Sequence, residues 1–214
     1  MIESLKWIAE AEMTPWQALT DALRASLPVP NGFIVFPNTA ETEIRSAYED
    51  LKIREKTHFL AIRGSSHAVL NIIGSDQLIH TLRRFWGETP DAPLFVQRMV
   101  HAMWCGKAQW HRKNLRLKAN EGMMVLDPDT YLLSTTTGKC IRKTIEPRQR
   151  KMIRYVDGST RTVEREGERT VMTAEQLKSI AELAQRAGTD IGWALDDADR
   201  VWLISAAARE PYRS

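Results

Sequence analysis

Ser66 and His67 are adjacent and put a hydroxyl beside an imidazole, the pair that a nucleophile and its base would need. A triad also needs an orienting acid, and it is recognised by geometry in space, so the pair reads first as ordinary surface chemistry. The five histidines stand at 58, 67, 80, 101 and 111 and show no metal-ligand spacing. The two cysteines, Cys105 and Cys140, give neither a disulfide framework nor a metal knuckle. Cys105 reads as a small core residue. Tryptophans 86, 104, 110, 193 and 202 read as packing groups rather than a base-stacking platform. Two stretches are basic. One is His111-Arg-Lys-Asn-Leu-Arg-Leu-Lys118. The other runs from Ile141 to Arg169, with nine Lys/Arg against five Asp/Glu. A solvated basic face is the default for both.

The elements that must carry these residues fill 214 positions, one ordinary domain or two small ones. Hydrophobic residues make up 43% and charged residues 27%, which excludes wholesale disorder. No apolar run approaches the ~18 residues of a membrane helix, and the N-terminus carries no apolar signal core. A reducing cytoplasm is the expected home. Lys plus Arg exceed Asp plus Glu by 30 to 27, too little to argue for nucleic acid.

The first half alternates helix and strand. Thr14 with Gln17 fits a capping box, and Leu19, Ala22 and Leu23 form a stripe before Pro28 and Pro30. Gly32–Phe36, His58–Ile62 and Leu94–Val100 read as strands. Ile44, Ala47, Tyr48 and Leu51 mark a second helix. Ser75 is the expected cap of a third, with Leu78, Ile79, Leu82 and Phe85 inward and Gly87 closing it. From Cys105 to Val171 the texture is short β pieces: 130–133, 152–156 and 160–163. Thr173 and Gln176 form another capping box, and the stripe Leu177, Ile180, Ala181, Ala184, Ala187 ends at Gly188. Residues 190–194 and 200–204 read as strands joined by Asp196-Asp197-Ala198-Asp199. The expected class is α+β (α/β).

Seven stretches, in order, resemble the N-terminal nucleotide-binding domain of phosphoenolpyruvate synthase and pyruvate phosphate dikinase. Leu27-Pro-Val-Pro-Asn-Gly-Phe33 is similar to its LPVPPGF and Ala61-Ile-Arg-Gly-Ser-Ser66 to its AVRSSA. Ala68-Val-Leu-Asn-Ile-Ile-Gly74 is similar to TFLNVxG, and Val96-Gln-Arg-Met-Val100 with Gly106 to VQxMV and its glycine. Pro128-Asp-Thr-Tyr131 is similar to PDxY and Asp190-Ile-Gly-Trp-Ala194 to DIEWA. Trp202–Ala208 stands where the family has LQARP. The resemblance runs from about Trp16 to Ala208 of a shortened chain. It implies an ATP-grasp-like two-lobe fold, with an N-terminal α/β lobe at 1–87 and a β-rich lobe at 88–214.

The same resemblance names the site. Arg63 is the AVRSSA arginine, a phosphate contact or else an ion pair with Asp190 or Glu121. Gln97, Met99 and Val100 belong to the strand that meets adenine through its backbone. Glu121, in Asn120-Glu121-Gly122, is what remains of a GLGE segment, and Asp190 is the first residue of DIEWA. The departures are as informative. The early lysine falls at Pro15 or Trp16, the glycine loop after Ser66-His67 is deleted, and Gly192 replaces the metal-binding Glu. Ser205 and Ala207 replace the Gln and Arg of LQARP.

Frame residues persist while phosphate and magnesium residues do not. The expected function is a degenerate, non-catalytic ATP-grasp domain with no catalytic set intact. It would serve as a binding or regulatory subunit beside a protein partner and keep a remnant site for adenine nucleotide. The alternative is a minimal active ATP-dependent phosphotransferase or ligase that uses ATP with magnesium. A second alternative is a basic nucleic-acid-binding module.

Overall fold

A computed structural model describes residues 5–11, 16–64, 67–147, 150–155, 157–164 and 171–207. The chain forms two compact units. The first takes the described residues within Met1–Arg24, Pro30–Met99 and Val156–Ser159. The second takes those within Ala25–Val29, Val100–Tyr155 and Thr160–Ser214.

In the first unit the order is β1 (Lys6–Trp7), α1 (Gln17–Arg24), β2 (Gly32–Val35), α2 (Glu41–Glu55) and β3 (Leu60–Arg63). It continues through β4 (Ala68–Ile72), α3 (Ser75–Glu88) and β5 (Leu94–Arg98). The strands form one antiparallel sheet in the order β1-β2-β5-β3-β4. The unit extends past the expected boundary at 87/88, because β5 fills the middle of this sheet. Strand β2 (Gly-Phe-Ile-Val) is buried throughout, and β5 is buried at Leu94, Phe95, Val96 and the polar Gln97. Ile44, Ala47, Tyr48 and Leu51 are spaced to put one face of α2 inward, and Leu78, Ile79, Leu82 and Phe85 do the same for α3. These faces share a core with Phe33, Leu60, Ile62 and Val96. Each fully buried Leu, Ile or Phe contributes about 1.5–3 kcal/mol.

Two boundaries of α3 differ from expectation. Its N-cap is Gly74 at φ 83°, whose N–H donates to the Tyr48 hydroxyl at 2.9 Å. Ser75 is instead the first helical residue, and its hydroxyl accepts from Arg45. The helix runs through Gly87 to Glu88, and Thr89 closes it by bonding back to Phe85 O with both its amide and its hydroxyl. Thr14 lies outside the described residues, so the first capping box is not seen.

The second unit contains β6 (Ala102–His111), β7 (Asn114–Glu121), β8 (Asp129–Ser134) and β9 (Cys140–Thr144). The hairpin β10 (Arg150–Arg154) and β11 (Thr160–Glu164) follows, then α4 (Ala174–Ala187), β12 (Ile191–Asp196) and β13 (Val201–Ala206). Six strands form an antiparallel sheet in the order β13-β12-β6-β7-β8-β9, while β10 and β11 pair separately. The long strands β6 and β7 take up the stretch that reads as basic in sequence. Arg116 and Lys118 there alternate with buried Leu115, Leu117 and Ala119. Helix α4 opens with the expected capping box, Thr173 bonding the Gln176 amide and Gln176 bonding back, and ends at left-handed Gly188.

One glycine decides how this sheet packs. Gly106 pairs with Trp193 of β12 on one side and Ala119 of β7 on the other. A methyl group there would overlap the Lys118 carbonyl oxygen and reach 2.6 Å from the Trp193 ring. Trp193 is 1% exposed and has nowhere to go. Gly106→Ala is therefore expected to destabilise by about 1–3 kcal/mol, as overpacking does. A urea midpoint equal to that of the parent chain would refute this packing.

Candidate functional site

The first unit brings together two of the six site residues. Arg63 ends β3 and Gln97 lies on β5, where Arg63 faces Phe95 and Gln97 faces Ala61 in register. The offset lets Arg63 Nε donate to Gln97 Oε1 at 2.8 Å. Gln97 is 1% exposed, and its Nε2 donates to the Pro30 carbonyl oxygen at 3.2 Å. Pro30 belongs to the LPVP segment, so two of the matched stretches meet through one amide.

Arg63 is half-buried, and burial lowers its pKa from 12.5 to about 10. It is still a cation at neutral pH. Among the described residues no carboxylate pairs with it. With Nε committed, its two terminal NH2 groups carry the fork that recognises phosphate or carboxylate. Within their own units Arg63 bonds Gln97, Asp190 accepts from the Trp110 amide, and Glu121 accepts from Lys151.

Met99, at 8% exposure, follows β5. Its sulfur accepts from the Asn71 amide at 3.3 Å and its own amide donates to Phe59 O at 3.0 Å. Beyond Arg63 the chain turns back at once. Arg63 pairs with Ala68, and the Gly64 amide donates to His67 O at 2.9 Å. Only Gly64–His67 connect β3 to β4, so the long glycine loop of the resembling family has no counterpart here. His67 stacks on Phe85 with centroids 4.5 Å apart and planes at 10°. Ser66 lies outside the described residues.

The second unit holds the other three. Val100 is buried in an apolar cluster with Ala102, Cys105 and Ala194. Burial pushes the Cys105 thiol up to about 12, which suits a core residue and not a nucleophile. Glu121 ends β7 and its Oε1 accepts from Lys151 Nζ at 2.7 Å. Beside it, Asn120 is fully buried and makes four hydrogen bonds. Its Oδ1 accepts from the Leu126 and Asp127 amides, and its Nδ2 donates to the Glu121 and Arg150 carbonyls. This asparagine, unsuspected from sequence, locks the β7–β8 connection to β10. Gly122 follows at φ 90°. A lone Asn in a basic stretch carries no signal of this role.

Asp190 stands just before β12. Its Oδ1 accepts from the Trp110 amide at 2.8 Å, and its carbonyl accepts from the Ala207 amide at 3.0 Å. Two positions on, a side chain at Gly192 would overlap Ser205 Oγ. Magnesium needs several hard oxygen ligands. Asp190 Oδ1 is engaged and residue 192 has no side chain. No group of three or more His, Cys, Asp or Glu among the described residues is placed to hold a metal.

The tryptophans pack with their polar edges satisfied in three cases. Trp86 Nε1 donates to Ala92 O, Trp110 Nε1 to Thr189 O and Trp202 Nε1 to Asp196 Oδ2. Asp196 anchors the acidic turn. Burial works to raise its pKa, but bonds from Trp202, the Arg200 and Ala198 amides and Arg200 Nε together hold it below the usual range.

No family model matches the chain, and no curated protein is similar to it in sequence. In three dimensions it is similar to a D-alanine–D-alanine ligase from Bacillus anthracis (TM-score 0.53, 8% identity, 89% of this chain and 54% of that one). It is also similar to N5-carboxyaminoimidazole synthase from Aspergillus clavatus, solved with ADP and 5-aminoimidazole ribonucleotide (TM-score 0.54, 12% identity, 92% of this chain and 44% of that one). D-alanyl-alanine synthetase A from Vibrio cholerae gives a TM-score of 0.51 at 12% identity, with 89% and 53% covered. The chain spans about half the length of these structures. No helix among the described residues is long and apolar enough to cross a membrane.

Because the folded state depresses the pKa of Asp196, its contribution is present above about pH 4 and is lost as pH falls further. Asp196→Ala is expected to cost about 1–3 kcal/mol at pH 7, since it leaves buried donors unpaired. The difference from the parent should shrink between about pH 4 and pH 2. Urea unfolding over that range checks it, and a pH-independent difference would count against this assignment. The likeness and the two antiparallel sheets together make the fold an ATP-grasp fold.

Proposed function

We propose that this chain is an adenine-nucleotide-binding unit whose task is ligase-like: it holds ATP by its phosphates for an ATP-dependent activation step. The observation that carries the reading is Arg63, a desolvated cation bonded to a neutral amide and to no carboxylate among the described residues. Such a group is completed by an anion that accepts its fork. The ATP-grasp fold supports ATP as that anion, and on this reading Gln97, Met99 and Val100 belong to the strand that meets adenine. Glu121 and Asp190 serve the frame. Cys105 and Cys140 are both free thiols, which suits a reducing cytoplasm.

A second reading is favoured by a specific observation. Asp190 Oδ1 is engaged by the Trp110 amide, and among the described residues no group of three or more His, Cys, Asp or Glu is placed to hold a metal. On that reading the chain binds nucleotide without transferring phosphate and works beside a protein partner that supplies the missing groups.

Calorimetric titration with ATP tests the first claim. Binding is expected, and Arg63→Ala should weaken it about 10- to 100-fold, the worth of a charged hydrogen-bond pair. Arg63→Lys should recover only part, because the point charge lacks the fork. Absence of ATP binding, or binding indifferent to Arg63→Ala, would remove the proposal. Phosphate release from bound ATP then separates the readings: turnover supports the ligase, and stable binding without turnover supports the partner-dependent subunit.

A further inference from the structure

The second unit holds a cavity of about 370 Å³ lined by residues of the β8–β9 hairpin and of the entry to α4. This lies in the range of small-molecule sites, roughly 300–1,000 Å³. Two hydrogen bonds tie the helix side to the hairpin side. The Met172 amide donates to the Tyr131 hydroxyl at 3.4 Å, and Gln185 Nε2 donates to the Thr135 carbonyl at 3.0 Å. The cavity is separate from Arg63 and Gln97, which belong to the first unit.

Its lining has two characters. Tyr131, Met172 and Leu177 are buried and make an apolar floor, and Val171 adds an aliphatic side chain that is 38% exposed. Lys139, Lys143 and Lys178 add three ammonium groups, and no carboxylate is among the described residues that line it. Lys178 also stands 3.8 Å from Glu182, but that pair is exposed and contributes little. The Asp129 carboxylate behind Tyr131 is fully buried and is engaged by the Glu146 amide and the Tyr131 hydroxyl. It offers the lysines no counter-charge at the surface.

We propose that this cavity binds an amphipathic organic anion, a carboxylate or phosphate monoester that carries an apolar chain or ring. The floor rewards burial of apolar surface and would desolvate a sugar without pairing its hydroxyls. The three lysines favour the anionic end and repel an amine. The β8–β9 pairing shapes the mouth: Leu133 pairs with Cys140 but Leu132 with Arg142, so a bulge at Ile141 displaces one residue between them.

Cys140 lines this cavity and is exposed, whereas Cys105 is buried, so a native chain should be alkylated at Cys140. The probes are octanoate, octyl phosphate, octanol and octylamine, read by calorimetry and by the rate of Cys140 alkylation with iodoacetamide. One of the two anions is expected to bind. At ten times its Kd it should slow alkylation about tenfold. Which anion protects better identifies the head group. Octanol and octylamine should give no protection. The double variant Lys139→Gln, Lys143→Gln should weaken anion binding about tenfold, with an unchanged melting temperature showing that it is folded. Arg63→Ala should leave protection intact. The proposal is overturned if neither anion protects, if octanol protects equally, if the lysine variant binds as well as the parent, or if protection is lost in Arg63→Ala.

Discussion

Arg63, a half-buried guanidinium bonded to a neutral amide, is the interaction on which the candidate site of the first unit depends. Moving a charge out of water is expensive unless it is paired, and the fall of the Arg63 pKa to about 10 is the trace of that expense. Gln97 cannot neutralise the charge. It can only orient it, and for that it must itself be immobile. Its other end is fixed on the Pro30 carbonyl, and its strand is paired on both sides. Arg63, Gln97 and Pro30 are one hydrogen-bonded chain, drawn from three of the stretches that resemble phosphoenolpyruvate synthase. An anion on the fork would relieve the uncompensated charge, which is why binding follows from the geometry more directly than catalysis does.

The second unit shows the opposite economy. Its carboxylates are engaged with the frame. Asp190 holds the Trp110 amide, Asp129 the Glu146 amide, Asp196 the turn before β13, and Glu121 the ammonium of Lys151. An acid that accepts hydrogen bonds from backbone amides stabilises strands at neutral pH and has fewer lone pairs for a metal. These four carboxylates thus hold the strands and turns of the second unit together.

The helices were legible because their signal is local. Ile44, Ala47, Tyr48 and Leu51 form one face of α2 whatever they pack on, and Thr173 with Gln176 caps α4 through bonds that span three residues. Legibility failed where partners are remote. The strands β6 and β7 read as a basic stretch, since Lys107, Arg116 and Lys118 mask a period-two pattern whose inward half is small residues such as Ala108 and Ala119. Ser75 looked like a cap because a serine before an apolar stripe usually is one. Here Tyr48, 26 residues earlier, accepts the amide of the true cap, Gly74. Motif resemblance singled out Arg63 and Gln97, which the structure joins by a hydrogen bond. It could not tell that Asn120 would hold four backbone groups, since an asparagine among basic residues looks like any other.

The short connection from β3 to β4 bears on what the site can do with a bound nucleotide. Phosphoryl transfer is accelerated by donors preorganised around the moving phosphate and by exclusion of water. Four residues, Gly64–His67, take the place of a glycine loop, and the His67 ring is stacked on Phe85. Little backbone is left here to cover a phosphate. Affinity and transfer therefore separate physically. Ground-state affinity needs one well-oriented fork, the part that the proposed function gives to Arg63. Stabilising the transition state needs further donors and a cover, which must come from elsewhere on the chain or from a partner. A site built this way loses rate long before it loses binding, so nucleotide affinity alone says little about whether the chain is an enzyme.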